Sequence, residues 1–335
     1  MTTDTRKSRP TLQDIADKIG ITKMTVSRYM RDPNSVAEST RVKIQAVVEE
    51  LGYIQNRAPA MLSKASSKAI GVLLPSLSNQ VFANFTQGIE AVTNARGYET
   101  LIAHFSYSKN IEENKIAALL SYQVDGLILT SSEHTPRTLQ MIKTAGIPII
   151  EAMELPENPI DIAVGLNHEL AAYTVVNAML SKGKKHIVYF GARLDTRTQL
   201  RMNGYNKAMK EAGLKPVHIL TEAHSSFTLG QKLLEQTLNE YPNVDGIFCT
   251  NDDIAIGSIM ACQEKKIAVP EQISVVGYNS LDIGQAMKPK LTSVDTPLHA
   301  IGEKSAQLLL DALAGKSPEQ KIFDLGFTIT QGESL

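Results

Sequence analysis

Residues 22–28 read TKMTVSR, an unusual front for a short helix. Val26 and Tyr29 are one helical turn apart and can point inward together, leaving Lys23, Met24, Thr25, Ser27 and Arg28 outward. Lysine can donate to guanine acceptors, and methionine offers apolar contact, for instance to a thymine methyl. Hydroxyl groups suit phosphate oxygens, which position a protein without specifying sequence. Catalysis has less to build on. GKS at 315–317 lacks the upstream glycine of a phosphate-binding loop and ends a helical stretch instead of opening one. There is no GxGxxG, GxSxG or HExxH, and the seven histidines are scattered. His134, in SSEHTPRTL, is a lone loop histidine and is expected to be exposed or simply hydrogen-bonded. Cys249 and Cys262 lie 13 apart with no histidine at metal spacing, so neither a zinc site nor a disulfide framework is expected. The reading is a non-enzyme without cofactor or metal, in a reducing cytoplasm.

The recognition segment needs a frame. Thr11 with Asp14 has the pattern of a capping box and starts a helix through about Ile19, and Gly20 can take the left-handed turn that stops it. Thr22 caps a second helix from Lys23 to about Met30. Asp32-Pro33-Asn34 is a turn, and residues 38–51 form a third helix with Val42, Ala46 and Val47 on one face, ended by Gly52. A further short helical segment spans Arg57 to about Ser63. Two short helices joined by a glycine turn, the second with an exposed polar face, form the helix-turn-helix pattern, whose second helix enters the major groove.

From residue 69 the rhythm changes. AIGVLLP, YETLIAH, DGLILTS and IPIIEA, then HIVYFG, DGIFCTN and ISVVGYN, are apolar runs separated by amphipathic stretches of helix length. This alternation predicts parallel sheets with helices on both faces. About 270 residues exceed one such layer set, so two α/β lobes are expected. IDIAVGLN (160–167) is the first crossover, TSVDTP (292–297) returns the chain to the first lobe, and residues 322–331 close the second.

Charge separates the same regions. Residues 1–64 hold 11 of the 34 Lys/Arg and 7 of the 35 Asp/Glu, leaving 23 and 28 for the rest. A basic head on an acidic body suits a phosphate-backbone partner. No stretch approaches the ~20 apolar residues of a membrane span, and MTTDTRKSRP does not read as a signal peptide.

The chain resembles the Lac repressor family of transcription regulators. TLQDIA, TVSR (25–28), VxxxTRxKI (Val36, Thr40, Arg41, Lys43, Ile44), LGYIxNR (51–57), TNDDIAIG (250–257) and ISVVGYN (273–279) carry the likeness across nearly the whole length. TKMTVSR, NRAP, LLPSLSNQVFA, HTPRTL, GARLDTRT, FCTNDD and DLGF resemble more closely its gluconate-utilisation repressors. The resemblance implies a small all-α helix-turn-helix head (1–56), a hinge helix and linker (57–66), and a periplasmic-binding-protein-like body of two doubly wound parallel-sheet lobes (67–335). It implies DNA contacts at Thr11, Lys23, Met24, Thr25, Ser27, Arg28, Asn34 and Asn56. Leu62 matches the hinge leucine that wedges into the minor groove, while Pro59 departs from the usual hinge sequence.

An effector belongs between the lobes, at the carboxyl ends of strands. The resemblance points to Asn79, Phe82, Phe85, Arg201, Asn251 and Asn279, with Asp195 and Arg197 as weaker candidates. Arg201 suits a carboxylate, which guanidinium pairs bidentately. Many sugar-binding members carry aspartate where Asn279 stands; asparagine keeps the acceptor without repelling an anion. The implied ligand is a sugar acid such as gluconate. A neutral sugar, a sugar phosphate, a purine corepressor, or a periplasmic-type sugar-binding protein remain as alternatives. Partners expected are a near-palindromic double-stranded operator and a second copy, since DLGFTITQGESL carries no leucine heptad for a tetramer.

Overall fold

The computed structural model describes residues 9–55 and 66–335. Asn56, Pro59, Leu62 and the expected helix from Arg57 lie outside the described residues. The chain separates into two compact units, residues 1–67 and 68–335.

In the first unit, α1 (Leu12–Ile19), α2 (Lys23–Arg31) and α3 (Glu38–Leu51) surround Ile15, Ala16, Val26, Tyr29 and Ile44. Helices of eight or nine residues do not persist alone in water, so this small core is what holds them. The Thr11–Asp14 capping box closes in both directions, and Thr22 caps α2 by accepting from Thr25 N–H. Gly20 sits at φ +75°, the left-handed turn the sequence asked for. One expectation needs correcting. Val42 and Ala46 face outward, and α3 turns Ile44, Val47, Val48 and Leu51 to the core. Ile44 and Leu51 are the heptad-like pair; Val42 lies on the other side of the helix.

The second unit contains two six-stranded sheets. In the first lobe β1 (Ala69–Leu74), β2 (Glu99–His104), β3 (Gly126–Leu129), β4 (Ile149–Met153) and β5 (Ile162–Gly165) are parallel, ordered 5-4-3-1-2. The helices α4 (Val81–Ala95), α5 (Lys109–Ser121) and α6 (Pro136–Ala145) connect them. The second lobe repeats the plan with β6 (Ile187–Ala192), β7 (Val217–Thr221), β8 (Gly246–Cys249), β9 (Ser274–Tyr278) and β10 (Thr292–Asp295). Its helices are α7 (His168–Ser181), α8 (Thr196–Glu211), α9 (Phe227–Glu240), α10 (Asp252–Glu264) and the short α11 (Asp282–Ala286). The inner strands are short, nearly uninterrupted apolar runs because both faces are covered, whereas the edge strands β2 and β7 are partly exposed.

The chain changes lobe after β5, and again after β10, where α12 (Leu298–Leu313) packs back onto α4 and the first sheet. The 322–331 stretch is shared between the lobes. β11 (Ile322–Asp324) extends the first sheet in parallel, and β12 (Thr328–Thr330) pairs antiparallel with β10 in the second.

Helix crossings in this body rest on glycine. A Cβ on Gly204 would lie 2.1 Å from the Glu169 carbonyl oxygen, so α8 can approach α7 this closely only without a side chain there. Gly204 is one turn beyond Arg201 on the buried face of α8, so this contact helps fix where that guanidinium stands.

His134 is the hydrogen-bonded loop histidine of the two expected outcomes, and it is buried. Its side chain is 2% exposed, with Nδ1 2.9 Å from Glu112 and Nε2 3.8 Å from Glu151. Burial works against its charge, but the two carboxylates outweigh that and push its pKa up to about 9. The cluster ties α5 and β4 to the loop leading into α6.

Two outcomes test this packing. Gly204→Ala is expected to cost ~1–3 kcal/mol as overpacking, read from the urea midpoint; an unchanged midpoint would mean that α7 and α8 do not meet here. Because the folded pKa of His134 is raised, its stabilisation is complete below the ordinary histidine value of 6.5 and is lost as pH rises through about 9. The wild-type urea midpoint should therefore fall between pH 7 and 9.5 more steeply than that of His134→Gln. Parallel pH profiles would remove the cluster's role.

Candidate functional site

In the head, α2 presents Lys23, Met24 and Arg28 to solvent, with Met24 73% exposed. Thr25 and Ser27 are half-buried, and the Thr25 hydroxyl is 2.9 Å from that of Thr22. Among the described residues Lys23 and Arg28 have no ion-pair partner, whereas Lys18 is held by Glu50 and Arg41 by Glu38. Arg31, also on α2, and Lys43 on α3 have none either, so α2 carries three of the unpaired cations together with an exposed thioether. Thr11 spends its hydroxyl on the capping box, and Asn34 accepts from Arg41 at 3.0 Å. Thr11 thus serves the start of α1, and Asn34 ties the turn after α2 to α3.

In the body, a cleft between the lobes encloses about 430 Å3 counted out to its mouth. Its floor and walls include Asn79, Phe82, Arg201, Asn251 and Asn279, all expected from the sequence. Asn79 accepts from Val81 N–H at 3.1 Å, which starts α4 beside the cleft. Phe82 is 4% exposed and lines the wall. Phe85 does not reach it. It is fully buried on the face of α4 that meets α12, three residues round the helix from Phe82, and serves the core.

Arginine dominates the chemistry. The Arg201 guanidinium lies 3.7 Å from the Tyr278 ring centroid and donates to the Thr250 carbonyl at 2.5 Å. Arg197 sits one turn earlier on α8, with its nitrogens 3.5 Å from Glu154 and 3.6 Å from Asp195. Arg193, from the loop after β6, stacks 5.1 Å from the Tyr107 ring of the opposite lobe. The Nε atoms of Arg193 and Arg201 are buried and have no hydrogen-bond partner. Asn251 lies between these two arginines. The hydrogen-bond network assigns its oxygen to Arg193 Nη2 at 2.6 Å and its nitrogen to the Thr250 carbonyl at 3.0 Å. The reverse orientation leaves only contacts of 3.4 Å to Arg201 and 3.3 Å to Asn279, so the first is the better arrangement.

The acids respond to this field. Burial would raise the Asp195 carboxyl, but Arg197 and the Thr198 amide outweigh it and hold it below the ordinary range. Glu154, deeper, is pushed up by burial despite Arg197 and accepts from the Ser132 hydroxyl. His168 is held far below its usual pKa by burial, with Arg201 adding to the effect. As a neutral ring it can donate from Nε2 to the Met153 carbonyl at 3.0 Å and accept at Nδ1 from the Tyr278 hydroxyl at 2.8 Å. Asp252, at the start of α10, faces away from the cleft. It accepts from Ser293 and from Leu281 N–H, a structural role.

Backbone strain is concentrated on the same rim. Ser106–Tyr107, Met153, Arg193–Leu194 and Asn279–Ser280 all have positive φ and stand at the carboxyl ends of β2, β4, β6 and β9. Such conformations cost ~1–3 kcal/mol each and persist where surroundings demand them, often at ligand clamps. Sequence reasoning misses Arg193, Tyr107 and His168. The GARLDTRT run contains the signal, a third arginine just ahead of the other two, but no periodicity marks a loop residue.

Similarity to known proteins agrees with this architecture. Residues 67–326 match the family described as periplasmic binding proteins and sugar binding domain of LacI family, and residues 11–56 match bacterial regulatory proteins, lacI family. The HTH-type transcriptional regulator GntR of Escherichia coli (strain K12) is 49% identical over 330 residues, covering 98% of this chain and 100% of that protein. IdnR of the same strain is 44% identical over 331 residues, at 98% and 100% coverage. A crystal structure of a LacI family regulator from Silicibacter pomeroyi covers 97% of this chain and 99% of its own at TM-score 0.91 and 28% identity. A GntR structure from Chromobacterium violaceum gives 0.78 at 34% identity over 79% of this chain and 98% of its own. With an operator-type helix-turn-helix head and a two-lobed effector body matched over its length, this chain belongs to the LacI family of DNA-binding transcriptional regulators.

Proposed function

We propose that this chain is a repressor released from its operator by an acidic polyol such as gluconate. The observation that carries the reading is the arginine-lined cleft, in which the buried Nε atoms of Arg193 and Arg201 lack partners. Buried charges are paired or they are costly, and a carboxylate supplies both the counter-charge and the hydrogen-bond acceptors. A neutral sugar would leave the charge unanswered. Asn79, Asn251 and Asn279 supply amides for hydroxyl groups, and Phe82 an apolar wall. In this reading Arg201, the most deeply held of the unpaired arginines, meets the carboxylate.

The working form is a homodimer on a near-palindromic operator, with recognition helices at half-sites roughly 34 Å apart. An edge strand supports association of copies: β2 is at the border of the first sheet and exposes Leu101 and Ile102. The functional division is a head of 1–56, a hinge of 57–66 with Leu62 as minor-groove wedge, and a body of 67–335. Lys23 and Met24 read bases. Arg28 makes the third contact of α2, Thr25, Ser27 and Asn34 hold phosphates, and Thr11 and Asn56 add further DNA contacts. It acts in the compartment that holds its DNA.

Lys23→Ala is expected to cost ~1–3 kcal/mol of operator binding and to relax one base position, measured by fluorescence anisotropy on operator variants. Equal losses on operator and random DNA would demote Lys23 to a phosphate contact. For the body, removing one partner of a desolvated charge pair costs ~2–5 kcal/mol. Arg201→Ala should therefore raise the gluconate dissociation constant by about 30-fold or more in calorimetry, and induction in cells should fail. If wild type prefers glucose to gluconate, the sugar-acid assignment falls while the DNA-binding role stands.

A further inference from the structure

We propose that Arg193 is a second carboxylate-gripping residue of the effector site, which clamps the ligand together with Arg201 and ties it to the first lobe through Tyr107. This rests on the sugar-acid reading of the cleft and extends it to a residue to which the sequence assigns no role.

Four observations converge on it. Arg193 and Leu194 stand in succession at φ +66° and +50°, a strained path that carries the arginine into the cleft from the end of β6. Its backbone N–H is fastened to the Thr221 carbonyl at 2.9 Å, so the strain is held by the neighbouring strand. Its Nη2 donates to Asn251 at 2.6 Å, and Arg201 reaches the adjoining Thr250 carbonyl at 2.5 Å, so both guanidinium groups work around one corner. Most directly, the buried Nε of each has no partner, and neither arginine has a carboxylate within 4.0 Å among the described residues. Arg197, between them in sequence, has two. Buried N–H groups are nearly all satisfied, so two guanidinium Nε atoms left open in one cleft mark a place for an acceptor.

The position of Tyr107 gives the clamp its consequence. It comes from the first lobe, is itself at φ +58°, and covers the Arg193 guanidinium at 5.1 Å. Cation–π attraction holds one face of the guanidinium, while its unpartnered Nε–H lies on the edge with which a carboxylate pairs. A carboxylate on Arg193 therefore fixes a side chain against which the opposite lobe packs, and charge in the ligand favours the approach of the lobes. An uncharged polyol has no such lever.

Calorimetry on the full chain, with sodium gluconate and with glucitol as the uncharged probe, tests this. Arg193→Gln should raise the gluconate dissociation constant at least tenfold, and Arg193→Lys should recover part of the loss. Tyr107→Leu should weaken gluconate several-fold. Combined with Arg201→Ala, Arg193→Gln should add little, because both hold one carboxylate. Ligand-free melting curves establish that each variant is folded. If Arg193→Gln binds gluconate within twofold of wild type while Arg201→Ala does not, Arg193 is structural and this inference alone fails. A loss shared equally by glucitol also overturns it, since that probe offers no carboxylate. If wild type gives no heat with gluconate, the sugar-acid reading fails and this one with it.

Discussion

A guanidinium removed from water needs an anion, and the body of this protein is arranged around three that have only partly found one. Asp195 and Glu154 are both committed to Arg197. Arg193 and Arg201 rely on carbonyl oxygens, an amide and aromatic faces. Aromatic faces attract a cation but do not satisfy its hydrogen bonds. The free edges are thus a standing electrostatic demand, and the rest of the cleft is consistent with it. His168 stays neutral, Asp195 stays ionised, and the anionic groups that would compete for the arginines are spent on Arg197.

The head is organised by a different limit. Its helices are too short to be stable alone, so all the inward positions of α1 and α2 are committed to one small core. What remains outside is free to be chosen for contact, and on α2 the cations Lys23 and Arg28 are left without carboxylate partners among the described residues. An exposed pair would contribute little to stability, so leaving Lys23 and Arg28 unpaired costs the fold little. It keeps their charge available to a phosphate backbone, where salt dependence would report it.

Much of this is legible in the residues alone. The caps at Thr11 and Thr22, the stop at Gly20 and the runs that form β1, β3, β4, β6, β8 and β9 follow from local rules. So does the crossover at 160–167, because an apolar run followed by a capping Asn167 can only be strand then helix. The failures have specific causes. β7 is an edge strand, half-buried and carrying His218, so it lacks a continuous apolar run. The inward face of α3 is misread because valine and alanine at helical spacing look inward whichever side the partner helices take. Phe85 reads together with Phe82, yet three residues on a helix separate a cleft wall from a core. The hydrogen bonding expected of His134 names no partner, because only the fold brings Glu112 and Glu151 to it from 22 and 17 residues away. Arg193 depends on a left-handed backbone that no residue type announces.

The cleft is also joined to the place where the chain changes lobe. Met153 ends β4 in the first lobe, and its carbonyl receives the His168 ring, which opens α7 just past the crossover. That ring takes the Tyr278 hydroxyl, and the Tyr278 face carries Arg201. The neutral state of His168 is what keeps the order of donors and acceptors fixed along this line, and Arg201 helps enforce it by disfavouring the imidazolium. Moving a two-state population from 1:99 to 99:1 requires ~5.5 kcal/mol of differential binding. A single surface ion pair, at ~0–1 kcal/mol, cannot supply that. Desolvated charge contacts of ~2–5 kcal/mol can, but only if more than one is made in the same state. In the proposed reading, a carboxylate that met both Arg201, fixed to the crossover through Tyr278 and His168, and Arg193, covered by the opposite lobe, would make two such contacts in one state.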